Sequence, residues 1–130
     1  MTSQHLCRFC LIVDQQRYRG RYDYGTRHPG LFVAWFEPLE PVTAGHMLFV
    51  PSLHVRTARE DPAVAGLAFE AAARYGGWHR EEFILLANAG EQAEQSVFHL
   101  HVHYVPRREG DGLSFPWVKL PRDPNAPVPW

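Results

Sequence analysis

The order of segments along this sequence predicts an α+β fold built on a mostly antiparallel sheet. Two observations carry that expectation. Short apolar runs bounded by glycine and proline occur both before and after one segment of helical period, with no β–α alternation joining them. The size also fits: 130 residues, 45% of them hydrophobic and 21% charged, make one globular domain with a real core.

Residues 5–30 read as irregular and polar, ending in the turn-like His28-Pro29-Gly30. Leu31 to Phe36 is apolar and aromatic, which predicts a strand. A loop with Pro38 and Pro41 follows, then a second strand from Met47 to Val50 between Gly45 and Pro51. Asp61-Pro62 has the form of a helix N-cap with proline in the first helical position. Val64, Leu67, Ala68, Ala71, Ala72 and Tyr75 recur at helical spacing, and Gly76-Gly77 is expected to stop the helix. Phe83 to Ala87 reads as a third strand turning at Asn88-Ala89-Gly90, and Phe98 to Val105 as the last, ended by Pro106. Six of the 11 prolines lie from Pro106 onward. The expected division is therefore a folded body over 1–112 and an extended tail over 113–130, packed on the body or on a partner. Trp117 and Trp130 of that tail are candidates to cover an interface or a site rim.

Thirteen basic against 14 acidic residues give a net charge of −1, which predicts no bulk attraction to nucleic acid or membrane. The run Arg17-Tyr18-Arg19-Gly20-Arg21-Tyr22-Asp23-Tyr24 mixes cations and aromatics, but on such a chain it reads as a solvated loop. The longest apolar run, Leu31 to Phe36, is too short to cross a bilayer. The first residues carry no apolar signal region, and two cysteines are too few for a disulfide framework, so a reducing cytoplasm is the expected location.

The most informative stretch is His99-Leu100-His101-Val102-His103-Tyr104-Val105. Side chains alternate along a strand, so the three histidines share one face while Phe98, Leu100, Val102 and Tyr104 share a core face. Spacing alone leaves three readings. The histidines are an exposed face, a three-histidine metal centre, or a set in which one imidazole is nucleophile or general base and its neighbours hold its tautomer.

Asn88-x-Gly90 with Gln95-Ser96-Val97-Phe98-His99-x-His101-x-His103-x-x-Pro106-Arg107 resembles the histidine triad (HIT) family of nucleotide hydrolases and transferases. Gly45-His46-Met47-Leu48-Phe49-Val50-Pro51, followed by His54, is similar to that family's central strand. The resemblance implies a five-stranded antiparallel sheet with one main helix, a homodimer, and a nucleotide as small-molecule substrate. It makes His101 the nucleophile toward the α-phosphorus of a nucleoside monophosphate conjugate of the phosphoramidate type, through a nucleotidyl-histidine. His103 and His46 then orient the ring and contact phosphate, while Ser96 offers a hydroxyl. Asn88 and Gln95 position substrate, and Phe9, Ile12 and Phe36 match the wall that holds the base. Arg107-Arg108 resembles the basic pair of related bacterial and Fhit-type proteins, and reads equally as a contact for a distal phosphate or as a solvated strand end. The alternatives are a nucleotide-binding module with little turnover and a dinucleoside polyphosphate hydrolase.

Cys7-x-x-Cys10 by itself fits a redox pair or two metal ligands, although no βαβ context for a thioredoxin-like motif surrounds it. It is similar to the zinc-carrying bacterial branch of the same family, called Hint-like. That resemblance implies a structural zinc on Cys7, Cys10, His54 and His99, leaving His101 and His103 for chemistry. The chain departs from the family pattern twice. The acidic residue that relatives use for ribose hydroxyls falls on Pro38, with Glu37 and Glu40 beside it, and the glycine before Gln95-Ser96 is Glu94.

Overall fold

The computed structural model describes residues 6–114; the tail residues from 115 onward, including Trp117 and Trp130, lie outside the described residues. The chain runs α1 (Arg8–Asp14), β1 (Gly20–Asp23), β2 (Phe32–Phe36), β3 (Met47–Pro51), α2 (Pro62–His79), β4 (Phe83–Leu86) and β5 (Val102–Pro106). The strands form one five-stranded antiparallel sheet in the order β1-β2-β3-β5-β4.

The alternation along the strands divides the core into two layers. On one face Val33, Phe49, Val102 and Tyr104 pack against Leu67, Ala68, Ala71, Ala72 and Tyr75 of α2. On the other face Ala34, Phe36, Leu48 and Val50 pack against Phe9 and Val13 of α1. The predicted N-cap of α2 is present: Asp61 Oδ1 accepts the Val64 N–H at 3.2 Å, with Pro62 next to it. Burying a stripe of small and branched residues over 18 positions makes α2 the main stabilising helix.

Three expectations need correction. Residues 5–30 are not wholly irregular, because α1 and β1 lie within them. With only seven and four residues these elements rest on tertiary contact rather than on their own period. Gly76-Gly77 does not stop α2, which continues to His79 and ends on Arg80 in the left-handed conformation. Gly76 is there for space: a Cβ on it would stand 2.2 Å from the Phe83 ring, so the glycine lets β4 approach the helix. The ladder of β5 begins at Val102 rather than Phe98. Residues 98–101 leave the sheet because the Leu100 N–H is bound to the Val55 carbonyl, and Leu100 sits with Val55, Val64 and Ala65.

Candidate active site and metal centre

The sheet register sets the site on the face opposite α2. His103 lies across from Leu48 of β3 and from Leu86 of β4. His101, just before the ladder, keeps the same side, with its ring centroid 5.1 Å from that of His103. Phe9 of α1 stands edge-on to His101 at 5.1 Å.

Hydrogen bonds fix which nitrogen of each imidazole carries a proton. His101 Nδ1–H donates to its neighbour's backbone, the His99 carbonyl, at 2.8 Å, so its lone pair is on Nε2. The Val42 N–H donates to His46 Nδ1 at 3.1 Å, which puts the His46 proton on Nε2. That proton is shared with His103 Nδ1, 3.0 Å away, and His103 is left with Nε2–H as a donor. The site thus holds one imidazole lone pair and one imidazole N–H on adjacent rings. Val42 is not legible in the sequence, because its contribution is a backbone N–H that any residue but proline supplies.

Burial lowers the basicity of all three rings, since desolvation disfavours the cation. His103 is pushed down to about 4, first by burial and then by His101 and His46 beside it. The histidines are therefore neutral at pH 7.

Two cavities meet at His101, His103 and Ser96. One, about 360 Å³, is walled by Phe9, Ile12 and Phe36, with Pro38 and Glu40 at its rim. The other, about 370 Å³, has Ile84, Leu86 and Val105 as its floor, with Asn88 and Glu94 at its edge. Arg8, which the sequence does not single out, lines the first cavity; its place at the start of α1 depends on a helix too short to read from its period.

Several of the other expected residues are also held by partners within the chain. Gln95 is buried and its amide is fully used: Oε1 accepts the Gly90 N–H, and Nε2 donates to the carbonyls of Arg56 and Val97. It holds the loop that presents Ser96 rather than offering a group to the cavities. Asn88 donates to the Ala93 carbonyl at 2.7 Å and supports the same loop. Arg107 is tied to both carboxylate oxygens of Asp111 and to the Leu113 carbonyl, and Arg108 to Thr43 and the Ala44 carbonyl. Arg107 is thus neutralised, whereas Arg108 is held in place by neutral acceptors and keeps its charge. The 17–24 stretch is not the solvated loop expected: Gly20–Asp23 is a strand and Tyr24 is buried in the core, while Arg19 pairs with Glu37 and Arg21 with Asp23 at the surface.

The three strand histidines do not converge on one point, so a three-histidine metal centre is excluded. His99 turns its donor the other way. Its Nε2–H is held by the Pro51 carbonyl at 2.8 Å, which leaves Nδ1 as a lone pair facing the cysteines. Ligand atoms of Cys7, Cys10, His54 and His99 all lie within 4.8 Å of one another. Cys7 Sγ and Cys10 Sγ are each 3.5 Å from His99 Nδ1, and His54 Nδ1 is 3.2 Å from both Cys10 Sγ and His99 Nδ1. A tetrahedral zinc with normal bond lengths separates neighbouring ligand atoms by roughly 3.3–3.8 Å, so the donor set fits. The His99 Nδ1 lone pair, fixed by the bond on its other nitrogen, faces both cysteines and His54 and is free to bind a cation there. Burial and the adjacent Cys7 push the Cys10 thiol up to about 12, as expected of thiols crowded together with no cation.

Comparison with known proteins agrees with this geometry. A model of the HIT domain matches residues 31–110. The chain is 34% identical over 118 residues to Protein hit of Bacillus subtilis, covering 85% of this chain and 78% of that one. It is 31% identical over 118 residues to an adenylylsulfatase of Arabidopsis thaliana, covering 86% of this chain but 57% of that longer one. A crystal structure of a zinc-bound histidine triad family protein from Mycobacterium smegmatis superposes with a TM-score of 0.63 at 34% identity, over 86% of this chain and 82% of the other. A histidine triad nucleotide-binding protein of Candida albicans, at 20% identity, shares the fold with a TM-score of 0.66 over 90% of this chain and 86% of that one. The fold, the triad and the cysteine–histidine cluster place this chain in the HIT family, within its zinc-binding branch.

Proposed function

We propose that the protein cleaves nucleoside monophosphate conjugates of the phosphoramidate type at the α-phosphorus, through a nucleotidyl-histidine on His101. One observation carries the reading: His101 has its Nδ1–H locked on a backbone carbonyl and lines both cavities, so its free Nε2 sits where they meet. The relative that is an adenylylsulfatase supports an adenylyl conjugate as the substrate class.

The chemistry follows from the tautomers. His101 Nε2 forms a bond to phosphorus while the bond from phosphorus to the leaving nitrogen breaks, and that nitrogen keeps the electron pair. The His103 Nε2–H and the Ser96 hydroxyl are the donors that stabilise the phosphoryl oxygens and protonate the leaving amine. Water then attacks the same phosphorus as its bond to Nε2 breaks, gives its proton back to the donor that protonated the amine, and restores free His101 with release of the nucleotide. A neutral imidazole is the competent nucleophile, and burial keeps it so. The base occupies the cavity of Phe9, Ile12 and Phe36. Glu40 takes the part of the ribose acceptor, because Glu37 is tied to Arg19 and Pro38 has no acceptor side chain. Gln95 acts on substrate only through the loop it holds, whereas Asn88 supports that loop and also lines the second cavity, where it can meet substrate directly.

Cys7, Cys10, His54 and His99 would hold zinc as a structural ion. When bound it supplies a closed four-coordinate crosslink between α1, the segment after β3 and the triad. Assembly as a homodimer in the cytoplasm belongs to the same reading. The test is AMP release from an adenosine 5′-phosphoramidate. Turnover by the parent and its loss, by about a thousandfold or more, in His101→Ala supports the reading. Equal turnover by the two proteins would sink it.

A further inference from the structure

α1 covers only part of the sheet face that carries the triad. Beyond it, alternation along β4 and β5 puts Ile84, Leu86 and Val105 on that face next to His103, because Ile84 pairs with Val105 and Leu86 with His103. These three form the apolar floor of the second cavity. If the base lies against Phe9 and Phe36, an attack from His101 leaves this second cavity for the departing group.

The charges here are unusual for a site that handles phosphates. Arg107 is neutralised by Asp111, and burial keeps His46 and His103 uncharged. Among the described residues Glu94 has no ion-pair partner, and it is the one net charge that lines this cavity.

Its backbone makes the point sharper. Glu94 has φ 66° and ψ 29°, a left-handed conformation that favours glycine. The loop around it is held by the Gln95 N–H on the Gly90 carbonyl, the Glu94 N–H on the Glu91 carbonyl, and the amides of Gln95 and Asn88. A carboxylate kept in a costly conformation, two residues from Ser96 and at the edge of the nucleophile's cavity, is a place to look for function.

We infer that this cavity receives the leaving group and that Glu94 selects one with an apolar chain ending in a cation, such as an amine bearing a second, protonated amine. The inference rests on the assignment of His101 as nucleophile. The chain lies over Ile84, Leu86 and Val105, and the ammonium meets the Glu94 carboxylate. An anionic leaving group, such as a further phosphate, meets the same carboxylate with repulsion and finds no free cation on Arg107.

The test measures binding and turnover separately. AMP is joined through phosphorus to methylamine, hexylamine or hexamethylenediamine, and binding to the chemically inert His101→Ala protein is measured by calorimetry at low salt. The hexylamine conjugate is expected to bind at least about tenfold more tightly than the methylamine one. The diamine conjugate should gain a further factor of about five, lost on adding Glu94→Gln to His101→Ala. Equal affinity for the methylamine and hexylamine conjugates overturns the proposal. It would mean that the chain's own residues 115–130 or a second copy cover this face. A diamine advantage that survives Glu94→Gln overturns it as well. AMP release from the hexylamine conjugate, compared between the parent and His101→Ala, reads the nucleophile assignment independently: equal release sinks that assignment, while the affinity steps decide what the cavity accepts.

Discussion

A histidine can attack phosphorus only through a nitrogen that keeps its lone pair, and here backbone groups decide which one does. The His99 carbonyl takes the Nδ1–H of His101, and the Val42 N–H sets a chain through His46 that ends on the Nε2–H of His103. Alternation in the sequence reveals the shared face of these histidines but not their tautomers, since the deciding partners are main-chain atoms. Gln95 misleads for a related reason: a polar residue beside a site reads as a substrate contact until its burial and three bonds are seen. His103 also gives the site a pH signature. Its folded basicity is lowered, so protons bind the unfolded chain preferentially. Its contribution to stability is complete above the ordinary histidine value of about 6.5 and is lost as pH falls toward about 4. Replacing His103 with Gln should therefore flatten the fall in stability between those pH values by roughly 2–3 kcal/mol, read from urea unfolding at several pH values. An unchanged slope would show that His103 is not held neutral. Glu94→Gly should instead raise stability by about 0.5–1 kcal/mol, because relief of left-handed strain outweighs the entropy of glycine. A lower unfolding midpoint would contradict the strain.

At the scale of elements, α1 is the least legible part of the fold and one of the most consequential. Its seven residues carry Cys10, its N-cap is Cys7, and its inner face presents Phe9 to both His101 and Phe36. A helix so short has no period strong enough to read, so its cysteines are visible in the sequence and its structure is not. β1 is hidden in the same way, although Gly20 lies against the Trp35 ring so closely that a Cβ would be 2.5 Å from it. α2, by contrast, can be read from its cap and its small-residue stripe, with only its last turn hidden by a glycine kept for Phe83. The cysteine–histidine cluster brings α1 against His99, whose carbonyl in turn holds His101. Zinc removal should thus loosen Phe9 and His101 together. Elemental analysis should find one zinc per chain. A chelator, or Cys10→Ser, should lower the melting temperature by roughly 10 °C or more and raise KM for the nucleotide conjugate. Loss of zinc with no change in melting temperature would deny it a structural role.

Over the whole molecule the sheet acts as a partition. α2 packs an apolar layer on one face, and α1 covers part of the other, which leaves two cavities that meet at the triad. The α+β class is legible in the sequence because runs of strand and helix character are local properties. Which half of a face stays open is not, because that depends on the register of β5 between β3 and β4. The open half, with its apolar floor and its lone carboxylate, is what separates this chain's expected specificity from that of a polyphosphate hydrolase.

The central claim is a covalent bond between His101 and the nucleotide. Mass spectrometry of the intact protein, quenched in alkali within the first turnover of an adenosine phosphoramidate, tests it directly. An added nucleotidyl group is expected on the parent, mapped to His101 and absent from His101→Ala. AMP release with no adduct on the parent, or with the adduct on another residue, would contradict it.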